Sequence, residues 1–148
     1  RVCVCVCVCV TSPPFARTPA CACVVCVCTS IAEKTGWLYV NINPETSTDR
    51  ARALAILTGK SFVTLGQNAD FETYLQHLSA HRFVLCPAGN GLDTHRLWET
   101  LLAGSIPVTA ASPMDSLLRR LPVLIVDDWE DITIQLLQQS YADFEQQR

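Results

Sequence analysis

Residues 83–108 read FVLCPAGNGLDTHRLWETLLAGSIPV. Phe83-Val84-Leu85-Cys86 is a short apolar run, the pattern of a strand covered on both faces. Pro87 has no backbone N–H to donate, so the strand is expected to stop there. Gly89-Asn90-Gly91 reads as a turn whose glycines reach positive φ without steric cost. Asp93 is expected as a helix N-cap. Leu97, Trp98, Leu101 and Leu102 recur at helical spacing. Gly104 stands where a left-handed C-terminal cap belongs. His95, Arg96 and Glu99 fall on the more polar side, with His95 and Glu99 one turn apart. A loop at the carboxyl end of a strand that leads into a helix N-terminus is a place where anions and nucleotides bind.

The same alternation extends to both sides. Trp37–Asn41 is rich in aromatic and branched residues and reads as the first strand, broken by Asn43-Pro44. Thr46 and Asp49 have the spacing of a capping box, and Asp49–Leu57 reads as a helix ending at Gly59. Ser61–Leu65 reads as the second strand, with Gly66-Gln67-Asn68 as its turn. Asp70–Ala80 is the next helix, with Phe71, Tyr74, Leu75 and Leu78 on one face. Beyond Gly104, Ile106–Thr109 is a short strand in which Pro107 suggests an irregular or exposed backbone position. Ser112-Pro113-Met114-Asp115 is a helix start with a cap, an early proline and an acid. Val123–Val126 is a further buried strand. Asp128-Trp129-Glu130-Asp131 repeats the cap-plus-acid pattern before a last helix. Strands alternating with helices imply an α/β fold: an open parallel sheet with helices on both faces, of Rossmann type.

Composition sets the boundaries. The chain has 148 residues, and the hydrophobic share of 49% is inflated by its beginning. Residues 2–10 strictly alternate Val and Cys, and residues 21–28 read CACVVCVC, so eight of the nine cysteines lie in the first 28 positions. A run of GT dinucleotides read in frame gives this repeat, and translated microsatellite DNA or a gene-model error is the expected origin. Zinc sites separate paired cysteines by two to four residues and add a second pair or histidines, a pattern this segment lacks. Thr11–Pro19 reads as linker. The expected organisation is therefore residues 1–30 as an unfolded low-complexity segment and linker, and residues 31–148 as the folded domain. All 14 acidic residues and nine of the 11 basic ones lie from Thr29 onward. The absence of a basic stripe argues against a nucleic-acid partner. No apolar run reaches the roughly 20 residues a membrane span needs.

The glycine turn alone defines no activity. Thr94 occupies the third glycine position of the dinucleotide fingerprint, so that motif is incomplete. Asp93 reads as a plain cap, His95 as a solvated helix residue, and Arg96 as a partner for some nearby acid. Glu99 is more pointed. A phosphate at the helix N-terminus would leave a carboxylate one to two turns away near the sugar hydroxyls of a nucleotide, and carboxylates suit ribose diols. Asp127-Asp128 reads as a strand end plus a helix cap.

Residues 83–108, followed by SPMDSLLRRLPVLIVDDWEDIT over 112–133, resemble the C-terminal, nucleotide-sugar-binding region of exostosin-like glycosyltransferases. The motif of that subgroup reads roughly F-x-L-S-P-x-G-N-G-x-D-x-H-R-x-W-E-x-L-x-x-G-x-I-P, then S-P-x-D, then L-P-V-x-x-V-D-D-W. The similarity covers about Trp37 to Thr133. It implies a Rossmann-like half of an inverting GT-B glycosyltransferase, which transfers a sugar from a nucleotide-sugar donor, a UDP-sugar, to a glycan or glycoprotein acceptor. It implies no metal held by an Asp-x-Asp motif and no cofactor besides the donor. Gly89, Asn90 and Gly91 would approach the diphosphate, with Asp93 in the same turn. Arg96 would neutralise it, with His95 nearby. Glu99 would hold the ribose, and Ser112 and Asp115 would line the rim of the cleft. The resemblance also implies a Golgi or other secretory-pathway membrane setting.

Two departures shape the expectations. Cys86 stands where the family often has Ser, and Ala88 where it often has a basic residue or proline, which leaves Arg96 as the main nearby cation. A complete enzyme of this kind also has an N-terminal acceptor domain, expected to be missing here, and its general base would come from across the cleft. Three readings stand at this point: a glycosyltransferase fragment, a non-catalytic nucleotide-sugar-binding or interaction module left by truncation, and an unrelated flavodoxin-like domain. The last is favoured if the Gly89 turn lies away from the carboxyl edge of the sheet.

Overall fold

Five strands alternate with five helices in the computed structural model, which describes residues 34–66 and 69–146. The expectations for the Val/Cys segment, the linker and the boundary near residue 30 lie outside the described residues, as do Gln67 and Asn68 of the second turn. The strands are β1 (Gly36–Val40), β2 (Val63–Leu65), β3 (His81–Leu85), β4 (Ile106–Ala110) and β5 (Leu124–Val126). The helices are α1 (Thr48–Leu57), α2 (Phe71–Ala80), α3 (His95–Leu102), α4 (Asp115–Leu118) and α5 (Ile134–Gln146). Every strand pairing is parallel, in the order β2-β1-β3-β4-β5. This is the expected open, doubly wound sheet.

Strand alternation divides the core in two. Leu38 and Val40 of β1 and Phe83 and Leu85 of β3 pack on one face with Ala53 and Leu57 of α1 and Leu137 of α5. Tyr39, Val84 and Cys86 point to the other face, against Leu78 of α2, Leu97 of α3 and Leu118 of α4. Burial on both faces explains the unbroken apolar runs that mark the central strands.

Several local expectations are corrected. Pro107 lies in β4, a central strand, opposite Val84 and buried. The Cys86 N–H donates to the Val108 carbonyl at 2.8 Å. Val108 therefore turns its polar backbone toward β3, and Pro107, one residue earlier, turns its nitrogen toward β5. Pairing with β5 begins only at Val108 opposite Leu124, so the missing N–H falls where the ladder has not yet started. The N-cap of α1 is Ser47, whose hydroxyl accepts from the Arg50 N–H, in place of a Thr46–Asp49 box. Asp49 instead accepts from the Trp129 indole at 2.7 Å. The Asp128 pattern is a true capping box, but it closes a single 3-10 turn over Trp129–Asp131, and α5 starts later. The Ser112 start gives a helix of only four residues.

Parallel order fixes where a ligand can sit. From β1 the chain moves outward to β2, whereas β3 lies on the other side of β1 and leads on to β4. The connections leaving β1 and β3 diverge to opposite faces and open a crevice at their carboxyl ends. The Gly89 turn follows β3 and lies on this edge, which removes the observation that would have favoured the unrelated-domain reading.

Candidate functional site

The crevice is a cleft of about 580 Å³. One wall is the segment after β3 and the start of α3: Gly89, Asn90, Gly91, Asp93, Thr94, His95, Arg96 and Glu99. Thr46 and Arg50 face it from the β1–α1 side, and Phe71 and Tyr74 from α2. Seven sequence-selected residues thus share one cavity. Ser112 and Asp115 are not among the lining residues. They close the turn after β4 themselves, the Asp115 carboxylate accepting from the Ser112 N–H at 2.8 Å and the Ser112 hydroxyl from the Met114 N–H at 3.2 Å.

Thr46, Arg50, Phe71, Tyr74 and Thr94 line the cleft without having been selected from the sequence, and Arg50 is the charged one among them. It lies on the inward stripe of α1 with Ala53 and Leu57 and is buried. Its Nε donates to the Ala88 carbonyl at 2.9 Å and its Nη2 to the Pro87 carbonyl at 3.4 Å. The guanidinium therefore clamps the backbone just before the glycine turn. Its pKa is lowered, chiefly by burial and secondarily by the positive charge of Arg96. Two cations thus face the same cleft, which corrects the expectation of Arg96 as the main one.

The clamp also lies against Gly89. A Cβ at Gly89 would lie 2.8 Å from Arg50 Nη2. A side chain at Gly89 would push the guanidinium tip aside; positive φ is not the reason for this glycine, since among the described residues it occurs only at Gly59 and Gly104. Gly104, at φ +71°, is the expected left-handed cap of α3.

The start of α3 differs from the expected cap. Thr94 holds the N-cap position and no side chain caps the helix. Asp93 instead accepts from the Trp98 indole N–H at 2.6 Å. The Thr94 Oγ1 and the Arg96 Nε are buried without a hydrogen-bond partner. Neither Arg50 nor Arg96 has a carboxylate within ion-pair distance among the described residues. The uncapped N-terminus of α3 and two arginines without a carboxylate partner among the described residues thus border one cavity.

Glu99 sits one turn into α3. The Tyr74 hydroxyl donates to its Oε2 at 3.0 Å. Burial and the neighbouring Glu99 raise the Tyr74 pKa, against an opposing effect of Arg96, so this phenol stays a donor at neutral pH. Below the site, Cys86 is buried with Sγ 3.6 Å from the Thr100 hydroxyl. Burial pushes its pKa up to about 12, so it is a packing residue and not a nucleophile. Among the described residues no group of three His, Cys, Asp or Glu side chains is placed to hold a metal ion. None of the helices there is long and apolar enough to cross a membrane.

Fold and site together define a class: a doubly wound parallel α/β domain with a cationic crevice at its topological switch point. No family model matches the chain, and no curated protein matches it. Solved structures similar to it include E. coli heptosyltransferase WaaC with ADP, at 12% identity and a TM-score of 0.41. That similarity covers 75% of this chain and 44% of the other, so the chain spans less than half the length of that structure. The fold assignment rests on strand order and register.

Proposed function

We propose that this domain binds the diphosphate and ribose of a nucleotide sugar, as the donor-binding part of a glycosyltransferase. The observation that carries the reading is that Arg50 and Arg96, neither with a carboxylate in ion-pair distance among the described residues, line the same cleft as the glycine turn. Cations without a protein carboxylate beside them leave their charge to an anion that enters the cleft.

In this reading Gly89, Asn90 and Gly91 let the backbone approach the diphosphate. The open N-terminus of α3 adds a partial positive charge worth up to about 1 kcal/mol. Arg96 adds a charge-assisted bond of about 1.5–3 kcal/mol. Arg50 has two of its five N–H groups committed to carbonyls and adds a second fixed charge. His95 stands beside the anion. Glu99, with one oxygen held by Tyr74, offers the other to the ribose hydroxyls. On the sequence resemblance, the donor is a UDP-sugar, the enzyme is exostosin-like, the acceptor is a glycan, and the setting is a Golgi or related membrane. On the same resemblance the donor site uses no metal held by an Asp-x-Asp motif.

The test is a ligand-observed NMR titration of wild type, Arg96→Ala and Glu99→Gln with UDP and 2′-deoxy-UDP. A site open on one side holds UDP with a Kd near millimolar, roughly −4 kcal/mol. Arg96→Ala weakens both ligands, and Glu99→Gln erases the preference for ribose. If all three proteins bind both ligands alike, or none binds, the donor-site reading fails.

A further inference from the structure

We propose that Phe71, backed by Tyr74, is the nucleobase platform of this cleft, an inference that rests on the donor-site reading above. The sequence periodicity of α2 puts Phe71 on the inward face with Tyr74, Leu75 and Leu78. The structure buries Leu78 and leaves Phe71, the first residue of the helix, 63% exposed. Phe71 is among the residues that line the cleft. Its ring lies 6.3 Å from the Tyr74 ring, tilted by 35°.

The order of groups along the cleft carries the argument. Arg96 and Glu99 lie three residues apart on one face of α3. Glu99 accepts from Tyr74, and Tyr74 neighbours Phe71. The wall therefore runs from cation to carboxylate to phenol to an apolar ring. A nucleoside diphosphate runs in the same order: anion, vicinal hydroxyls, flat apolar base. With the diphosphate at Arg96 and the ribose at Glu99, the base reaches the aromatic pair. A solvent-facing Phe offers a large flat surface at low conformational cost. Base–aromatic stacking tolerates any base, because every base has a π-face. Phe71 would thus give affinity for the nucleoside, while discrimination among bases comes from elsewhere.

The test uses the full chain, with UDP and inorganic pyrophosphate as probes, in wild type, Phe71→Ala and Phe71→Trp. The expected result is a loss of about tenfold in UDP affinity in Phe71→Ala, an ordinary magnitude for one stacked base, with pyrophosphate affinity unchanged. Phe71→Trp keeps or improves UDP binding. The exposed position predicts unchanged melting for both variants. UDP affinity that survives Phe71→Ala overturns the assignment, as does an equal loss for both probes. Wild type that binds pyrophosphate and UDP equally, with no effect of Phe71→Ala, also overturns stacking but leaves the anion site standing. Wild type that binds neither probe overturns the donor-site reading and this inference with it.

Discussion

Replacing Arg50 by Met removes the clamp on the glycine turn while keeping an unbranched apolar stem in its place. The loss can be worked from two contacts. The bond from Nε to the Ala88 carbonyl, at 2.9 Å, is of full strength, and that from Nη2 to the Pro87 carbonyl, at 3.4 Å, is marginal. A hydrogen bond from a charged donor contributes about 1.5–3 kcal/mol. One full and one marginal bond, less the relief of a buried charge, give a destabilisation of about 2–3 kcal/mol. For a domain of this size about 1 kcal/mol moves the midpoint by about 4 °C, so Tm falls by about 8–12 °C. Urea unfolding followed by tryptophan fluorescence at pH 7, paired with thermal circular dichroism, measures both. Arg50→Lys keeps the charge but lacks the planar fork that reaches two carbonyls, and it falls between wild type and Arg50→Met. UDP affinity drops in Arg50→Met as well. Unfolding of Arg50→Met within about 0.5 kcal/mol of wild type, the scatter of neutral surface changes, would refute the clamp.

Three further outcomes follow from the same contacts. Tyr74→Phe removes the donor that fixes the Glu99 carboxylate at 3.0 Å, so the oxygen offered to the ribose loses its orientation and the preference for UDP over its 2′-deoxy analogue narrows while pyrophosphate binding stays the same; parallel titrations check both. His81 is buried with Nδ1 2.7 Å from the His77 carbonyl, and burial lowers its pKa. The unfolded chain therefore takes up this proton first, and the stability His81 contributes is complete above its unfolded pKa of about 6.5 and declines as pH falls below it; urea midpoints at pH 7.5 and 5.5 drop less in His81→Gln than in wild type, and equal drops would exclude the effect. Cys86, with its pKa pushed up to about 12 by burial, resists iodoacetamide in the native protein and reacts after denaturation, as peptide mass mapping reads directly; rapid native alkylation would contradict its burial.

The sheet was legible because central parallel strands leave a simple trace. Phe83–Leu85 and Leu38–Val40 are apolar at every position because both faces are covered, and Gly104 marks the end of α3 through its backbone conformation. The cleft was legible in its β3–α3 half, where the turn, His95, Arg96 and Glu99 are contiguous in sequence. Arg50 was not, because it meets Ala88 and Pro87 from more than 35 residues away, a contact made only by the pairing of β1 with β3. Its one trace was a guanidinium in the apolar stripe of α1, at the spacing of Ala53 and Leu57. Asp93 misled for a different reason: a good capping residue also accepts from an indole, and Trp98 lies within reach. Trp98 and Leu102 share the helical spacing of the core positions, yet they are 37% and 66% exposed, since α3 buries a narrower stripe through Leu97 and Thr100. Phe71 departs in the same way: it shares the spacing of Leu75 and Leu78, yet it stands exposed at the cleft.

The measurement closest to the central claim is a ¹⁵N–¹H correlation spectrum of the chain titrated with UDP, with the amides of the described residues assigned. The account predicts the largest shifts at Gly89, Gly91, Thr94, His95 and Arg96, saturating together near millimolar UDP. A spectrum unmoved by UDP, or one whose shifts gather at the Ser112–Asp115 turn while the Gly89 turn stays still, would contradict it.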